Sequence, residues 1–356
     1  MLSGKKILFA SNFSQFQGSE ALANAFEGLG AEVFRINGRH FMPEWRSVIG
    51  RVARTALSPM AVREYQAAIF SRLKLTKFDL FFTMKGLYLN NAIFETIKSL
   101  NTKSAIFYPD RSFSEHKFLD IPALCCADYF FTTKSFQLPY LTRRRANKVT
   151  RLVHHGYIPG LHQPYFHMPP NYDFDICYIG NHSVYKESWL KDIISKFSLR
   201  RIGIFGNRWP RRLANSHCVI GSEVVGSEYS KLIQSSKINI ALHAGPSAEK
   251  PDWQDLVSTR TFEIPACMGF MLHIDNTEVR SLFSVGSEID VFRSQDELSE
   301  KINYYLAADE ARTRMCNSAY KRAVPSYSYI TRAQEMASVI FRHDNTKYQN
   351  RPPSID

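Results

Sequence analysis

Twice along this chain, short apolar runs alternate with longer polar-faced stretches, and a proline-rich break separates the two rounds. That rhythm restricts the fold more than any other feature. The first round reads KKILFA, a helix from about Ser19 to Leu29, then AEVFRI. A long helical stretch near Glu44 to Leu73 follows, expected to break at Pro59 because proline lacks the N–H a helix interior needs. Next come DLFFTMKG, helix NAIFETIKSL, KSAIFYPD, DYFFTTK with a helix behind it, and a last strand near RLVHH. Apolar runs this short, spaced by helices, are the pattern of a parallel sheet.

Residues 156–172, GYIPGLHQPYFHMPPNY, have no periodicity and mark an interdomain connection. The rhythm then restarts with DFDICYIGN, helix VYKESWLKDIISKF, RRIGIFGN, a helix near SEYSKLIQSS, KINIALHAG, helix STRTFEIPACM and GFMLHI, and closes with SEIDVF and three helices. A chain of 356 residues is too long for one ordinary core. The expected division is a first Rossmann-like domain over 1–156, a linker over 157–174, and a second Rossmann-like domain over 175–325. Residues 326–356 hold a C-terminal helix, with a return to the first domain left open, and a tail. Two doubly wound α/β sheets bind ligands at the carboxyl ends of their strands, so facing sheets share a site in the cleft between them. No internal repeat is visible at solenoid periods.

Hydrophobic residues at 44% and charged residues at 22% exclude disorder and low complexity. No stretch reaches the roughly 18 consecutive apolar residues of a membrane span, and the N-terminus turns polar too early for a signal peptide. Six cysteines without CxxC or framework spacing read as reduced, buried thiols of a cytoplasmic protein. Net charge is +12, and its distribution matters more than its size: residues 1–156 carry 22 Lys and Arg against 11 Asp and Glu, the remainder 23 against 22. A first domain at +11 can face an anionic membrane surface, a lipid diphosphate or nucleic acid, or can simply be solvated. The cluster RRRANK, residues 143–148, is expected to decorate a helix end on that surface.

The segment TRTFEIPACMGF, residues 259–270, carries the chemistry. Thr259, Arg260 and Thr261 crowd a helix start, where free N–H groups and the helix dipole favour an anion such as a diphosphate. Arg260 adds a forked cation suited to phosphate oxygens. Glu263 stands among Phe262, Ile264 and Ala266, where an unpaired carboxylate is costly and a ribose diol would satisfy it. An intrahelical Arg260–Glu263 pair on a solvated face is the plain alternative. Glycine turns end two strands of the second domain, at Gly180–Asn181 and at Gly206–Asn207–Arg208–Trp209, and permit close backbone approach to a nucleotide. Trp209 either stacks on a base or packs beneath its turn, and His243, ending KINIAL, has the same two options. In the first domain, Gly18 and Ser19 sit at a helix start pointing into the cleft, toward the donor diphosphate or the acceptor. Asp110, and after it His116, are the candidates for a base acting on an acceptor hydroxyl. His154 and His155 fall at a cleft edge without the partners a zinc site needs.

Residues 237–340, with Thr259, Arg260, Glu263, Ala266, Cys267 and Gly269 in the order Thr-Arg-x-x-Glu followed by an Ala/Cys-rich turn and Gly, resemble the CgeB-like, spore-maturation-type branch of the group 1 glycosyltransferases. KGLYLNNAIFETIKSLNTKSAIFYPDRSF and CADYFFTTKSFQLPYL are similar to that family's N-terminal domain, with Asp110 in its acidic loop. The resemblance implies a GT-B fold, a UDP-, GDP- or TDP-sugar donor and no obligatory metal or other cofactor. Related enzymes use two acidic residues eight apart, one near the sugar and one on the ribose, which maps onto Asp255 and Glu263. Lys186 is a further candidate for the leaving diphosphate.

The expectation is a glycosyltransferase acting on a glycan or lipid-linked acceptor for a cell-surface polysaccharide or glycolipid, cytoplasmic or peripheral at the inner membrane face, without nucleic-acid partners. Its rivals are a nucleotide-sugar epimerase or hydrolase on the same fold, and a non-catalytic basic binding protein.

Overall fold

The structure, a computed structural model, describes residues 2–42, 48–114, 116, 118–145, 148–165, 171–246 and 253–341, with residues 48–56 described for their backbone alone. In the first half the order is β1 (Lys6–Ser11), α1 (Gly18–Gly28), β2 (Glu32–Asn37), α2 (Val48–Leu75), β3 (Leu80–Met84), α3 (Asn91–Ser99), β4 (Lys103–Tyr108), α4 (Ile121–Leu124), β5 (Tyr129–Thr132), α5 (Leu138–Arg144) and β6 (Val149–Leu152). The second half begins with β7 (Phe174–Ile179), α6 (Val184–Lys196), β8 (Ile202–Phe205), β9 (Cys218–Gly221), α7 (Ser227–Gln234), β10 (Ser236–Ala241) and α8 (Thr259–Ala266). It ends with β11 (Met271–Ile274), α9 (Thr277–Leu282), β12 (Asp290–Phe292), α10 (Gln295–Ala307), α11 (Asp309–Ala323) and α12 (Tyr329–Ile340).

The strands form two parallel six-stranded sheets, ordered β2-β1-β3-β4-β5-β6 and β12-β11-β10-β7-β8-β9. Strand order reverses between β1 and β3 in one sheet and between β7 and β10 in the other. Loops at those two points splay apart and leave a crevice at the strand ends. Continuous apolar runs such as Ile7 to Ala10 and Leu80 to Phe82 are buried because helices cover both faces of each sheet.

Several contacts tie the halves together. The chain leaves the first sheet through Gly156 and returns beside it: Tyr157 N–H donates to the Tyr327 carbonyl at 3.0 Å, and Tyr329 N–H to the Tyr157 carbonyl at 2.9 Å. A Cβ at Gly156 would stand 2.7 Å from the Tyr329 nitrogen, so only glycine lets the two strands of chain cross there. Helix α12 then packs on α1, burying Tyr329, Ala333, Met336, Ala337 and Ile340, one stripe of the helix, in the first sheet's core. In the opposite sense, the stretch preceding α8 sends Trp253 from the second half into an aromatic nest of Phe113, Phe136 and Tyr140, with ring centroids 5.5–5.7 Å away.

Several details depart from the sequence reading. α2 runs through Pro59 instead of breaking: its C-terminal half is pinned by buried Tyr65, Ile69 and Leu73 at four-residue spacing, which outweighs one lost hydrogen bond. Glu44 and its neighbours lie outside the described residues. β6 stops at Leu152, leaving His154 and His155 beyond the strand, and α4, β9 and α9 are too short for a periodic signal. Within RRRANK, Arg145 is not a surface cation: it is 2% exposed and donates to carbonyls of Cys125, Ala127, Asp128 and Val149. Ala146 and Asn147 lie outside the described residues. All six cysteines are free, but Cys126 is exposed and Cys125 half-buried, because they end α4 at the surface.

Candidate active site

Two adjoining chambers occupy the crevice. The larger, about 540 Å³, opens at the ends of β1, β3 and β4, and the smaller, about 200 Å³, at the ends of β7 and β8. Phe16, Thr259 and Glu263 line both and form the seam.

Helix α8 supplies two of those three residues. Its start is fixed from below: the Ser258 N–H donates to Thr261 Oγ1 at 3.2 Å, and Ser258 Oγ meets His243 Nδ1 at 3.0 Å. His243 and His273 touch through their Nε2 atoms at 2.8 Å, and Thr261 Oγ1 lies 2.9 Å from His273. Burial pushes both imidazoles far down, His273 to about 4, so both stay neutral. Thr261 and His243, at 0% and 1% exposure, therefore brace the helix and do not reach the cleft, which corrects their assignment to the ligand.

Above this brace, Arg260 and Glu263 do not pair with each other. The Arg260 guanidinium lies over the Tyr178 ring at 5.7 Å and against Gly180, where a Cβ would stand 2.7 Å from Nη1. Its single hydrogen bond, to the Leu242 carbonyl, spans 3.5 Å, its Nε has none, and among the described residues no carboxylate faces it. Glu263 lies on both chambers, its side chain 14% exposed, with His162 Nε2 at 4.0 Å as its only ion-pair neighbour among the described residues. Burial lowers the pKa of His162 more than Glu263 raises it, so the imidazole brings little charge to Glu263. Tyr229 Oη is buried without a well-formed hydrogen bond, and the nearby Glu263 charge adds to burial in raising its pKa. A guanidinium with an unpartnered Nε, a carboxylate and a phenol meet on one wall. Unmade hydrogen bonds of buried groups are costly, and such a wall is completed by a polar ligand.

The glycine turns frame the smaller chamber. Gly206 has φ 145°, and a Cβ there would fall 2.3 Å from the Gly180 carbonyl oxygen, so the two turns touch backbone to backbone. Gly180, Asn181 and Gly206 line the chamber. Trp209 packs under the turn, its Nε1–H donating to the Gly180 carbonyl at 2.7 Å, which settles its two options in favour of support. Asn207 and Arg208 are exposed and do not line the chamber; Asn207 braces the loops, N–H to Asn181 Oδ1 at 3.0 Å and Nδ2 to Glu223 Oε2 at 3.1 Å. Lys186 is buried behind this turn with Nζ on the Asn181 carbonyl at 2.9 Å. Burial, then the positive charges of Arg260 and Arg111, outweigh Asp255 and hold its ammonium down to about 7.

Asp255 lines neither chamber and stands in an interdomain ion pair, 2.8 Å from Lys134 Nζ. Lys134 is 3% exposed and also donates to the Val257 carbonyl at 3.2 Å, so a carboxylate is required there to balance a buried cation. This corrects the spacing-of-eight reading: Asp255 is consumed by structure.

Across the cleft, Asp110 and His116 both line the larger chamber and touch, Oδ2 to Nε2 at 2.6 Å, with Lys85 Nζ 2.9 Å from the same oxygen. Burial alone would raise Asp110, but His116 and Lys85 outweigh it and hold the carboxyl at about 2. An ionised carboxylate only accepts, so the His116 Nε2–H donates in this contact. Gly18 and Ser19 also line this chamber; a Cβ at Gly18 would lie 2.7 Å from Tyr329 Oη, and Ser19 Oγ donates to the Asn12 carbonyl at 2.8 Å. His155 lines it too, beside Tyr329 Oη at 3.4 Å. Lys85, Tyr329, Phe16 and Tyr229 were not legible as site residues. Lys85 carries the only such signal, a charge between an apolar strand and Gly86. Among the described residues, no group of three His, Cys, Asp or Glu is placed to hold a metal ion, and no helix is long and apolar enough to cross a membrane.

Residues 186–338, somewhat less than half of the chain, match the family described as Glycosyl transferase-like. No curated protein matches the sequence. Among solved structures, sucrose-phosphate synthase from Thermosynechococcus elongatus is similar at 14% identity and TM-score 0.66, covering 95% of this chain and 98% of that one. A glycosyltransferase from Rickettsia africae is similar at 13% identity and TM-score 0.67, covering 96% and 99%. Anabaena HepE in complex with UDP and glucose is similar at 12% identity and TM-score 0.61, covering 95% and 100%. At such identities the likeness concerns architecture, and the chain has the GT-B glycosyltransferase fold.

Proposed function

We propose that the protein transfers a sugar from a nucleoside-diphosphate sugar to a hydroxyl acceptor. One observation carries this reading: Arg260 and Glu263 share the cleft wall of α8 without pairing with each other, beside the buried hydroxyl of Tyr229. Glu263 would accept from a ribose diol, while Arg260 and the N–H groups at the start of α8 would receive the diphosphate. The match of residues 186–338 to the Glycosyl transferase-like family spans these residues, and HepE, with a similar fold, has been seen with UDP and glucose.

Negative charge grows on the leaving diphosphate as the sugar departs; Arg260 places a cation on that side of the cleft, and a diphosphate there favours the charged form of Lys186 behind the turn. The acceptor would occupy the larger chamber, where amide, aromatic and imidazole groups suit a saccharide end. In an inverting transfer its proton goes to His116 Nδ1, with Asp110 orienting the ring, which reverses the order of those two candidates. We assign the protein to the CgeB-like branch, with a hexosyl donor, no metal requirement and a glycan or lipid-linked acceptor handled at the cytoplasmic membrane face by the basic first domain. Nucleoside-diphosphate release from UDP-, GDP- and TDP-sugars, with and without candidate saccharide acceptors and chelator, tests this. Acceptor-dependent release supports transfer, release without acceptor means hydrolysis, and a changed sugar without release means epimerisation. Salt-sensitive nucleic-acid binding with no response to any nucleotide sugar would leave only a basic binding protein.

A further inference from the structure

The loop between β1 and α1 holds an aromatic side chain that the first domain's own packing does not use. Phe16 has φ 67°, a left-handed conformation that a bulky side chain adopts only against a steric cost. Its ring is 41% exposed, whereas Phe9, Phe13 and Phe26 nearby are buried. Among the described residues it stacks on no other aromatic ring of the protein.

The ring spans the seam of the two chambers and reaches the second domain: a Cβ at Gly226 would lie 3.4 Å from its Cε2 and Cζ. Beyond it, the smaller chamber is a slot of mixed lining, with Ile179, Val224 and Val225 beside Asn181, Glu223 and Tyr229. The same chamber ends on Glu263 and Arg260. A ligand whose diphosphate lies at Arg260 and whose ribose lies at Glu263 has its third part, a flat aromatic base, left for that slot.

We propose that Phe16 is a stacking platform for the nucleobase of the donor, offered from the first domain against the Val224–Gly226 loop of the second. This rests on the nucleoside-diphosphate donor proposed above. Every base has a π face, so the platform supplies affinity without choosing the base, and the choice falls to polar groups at the slot's edge such as Glu223. The unfavourable backbone at Phe16 is then the cost of aiming a ring out of the domain's core into the cleft.

Calorimetric titrations of UDP, GDP, TDP, ADP and inorganic pyrophosphate into the wild type, Phe16→Ala, Phe16→Gly and Phe16→Trp test it. Base stacking by alanine substitution corresponds to about 5- to 150-fold in affinity. Phe16→Ala and Phe16→Gly, the second of which keeps the left-handed backbone, are both expected to weaken the preferred nucleotide within that range. Pyrophosphate should change by less than about twofold. Phe16→Trp is expected to retain nucleotide binding and to add indole fluorescence that the base quenches. Unchanged nucleotide affinity in Phe16→Ala overturns the platform while leaving the donor site intact. Nucleotide and pyrophosphate weakening together would assign Phe16 to the phosphate end instead, and overturn it. A wild type that takes pyrophosphate but no nucleotide removes the donor reading itself, and the platform with it.

Discussion

Half-buried Arg260 and Glu263 lie on one face of α8, three residues apart, without pairing with each other. Had the two paired, the helix would have satisfied itself. What keeps them apart is Gly180, whose missing side chain lets the guanidinium lie over Tyr178 and point away from Glu263. Lys186, buried behind the Gly180–Gly206 turn, adds a titratable group close to Arg260. Its folded value near 7 lies below the ordinary 10.5, so the free chain binds the proton more readily than the folded protein, and ligand-free stability rises with pH between those values. A bound diphosphate favours the charged ammonium. Nucleotide binding at about pH 8.5 is therefore expected to take up close to one proton, read by calorimetry in buffers of different ionisation heat, and Lys186→Met is expected to abolish the uptake. Equal heats in all buffers for the wild type would mean that Lys186 does not sense the phosphates. Much of this wall was legible in TRTFE because helix starts and buried charges follow local rules. Three of the failures, Thr261, His243 and Asp255, share one cause: each is a polar residue whose partner, His273 or Lys134, lies on another element.

At the scale of elements, periodicity located the long strands and helices because apolar faces must be buried whatever the topology. It missed α4, β9 and α9, of four, four and six residues, which span no more than about two periods of their pattern. It also gave proline too much weight in α2. Pro59 is exposed and costs the helix one backbone hydrogen bond, while the buried stripe of Tyr65, Ile69 and Leu73 keeps the helix whole. Pro59→Ala is expected to stabilise the protein by about 1–3 kcal/mol by restoring that bond and removing the ring's clash. A higher denaturant midpoint with unchanged slope would show it, and a lower midpoint would mean that the ring itself is packed in place.

For the whole molecule, what no local pattern announces is how the halves are joined. Tyr329 enters the first chamber because α12 returns to pack on α1, and Trp253 crosses the other way into Phe113, Phe136 and Tyr140. The second contact precedes α8 by a few residues and ends on the loop that carries Asp110 and His116, so it links the two walls of the cleft. Trp253→Ala is expected to cost about 3–5 kcal/mol at that interface and to divide a single calorimetric melting transition into two. One unshifted transition would show that the crossing at Gly156 and α12 is sufficient to join the halves. The central claim, that the wall of Arg260 and Glu263 receives a nucleoside diphosphate, is tested most directly by thermal shift of the wild type and Glu263→Ala with UDP, GDP, TDP, ADP and CMP. A ligand bound only by the folded state raises the melting temperature. The account predicts that at least one nucleoside diphosphate raises the melting temperature of the wild type and does so less in Glu263→Ala. No shift with any of them at millimolar concentration, or an equal shift in the variant, would contradict it.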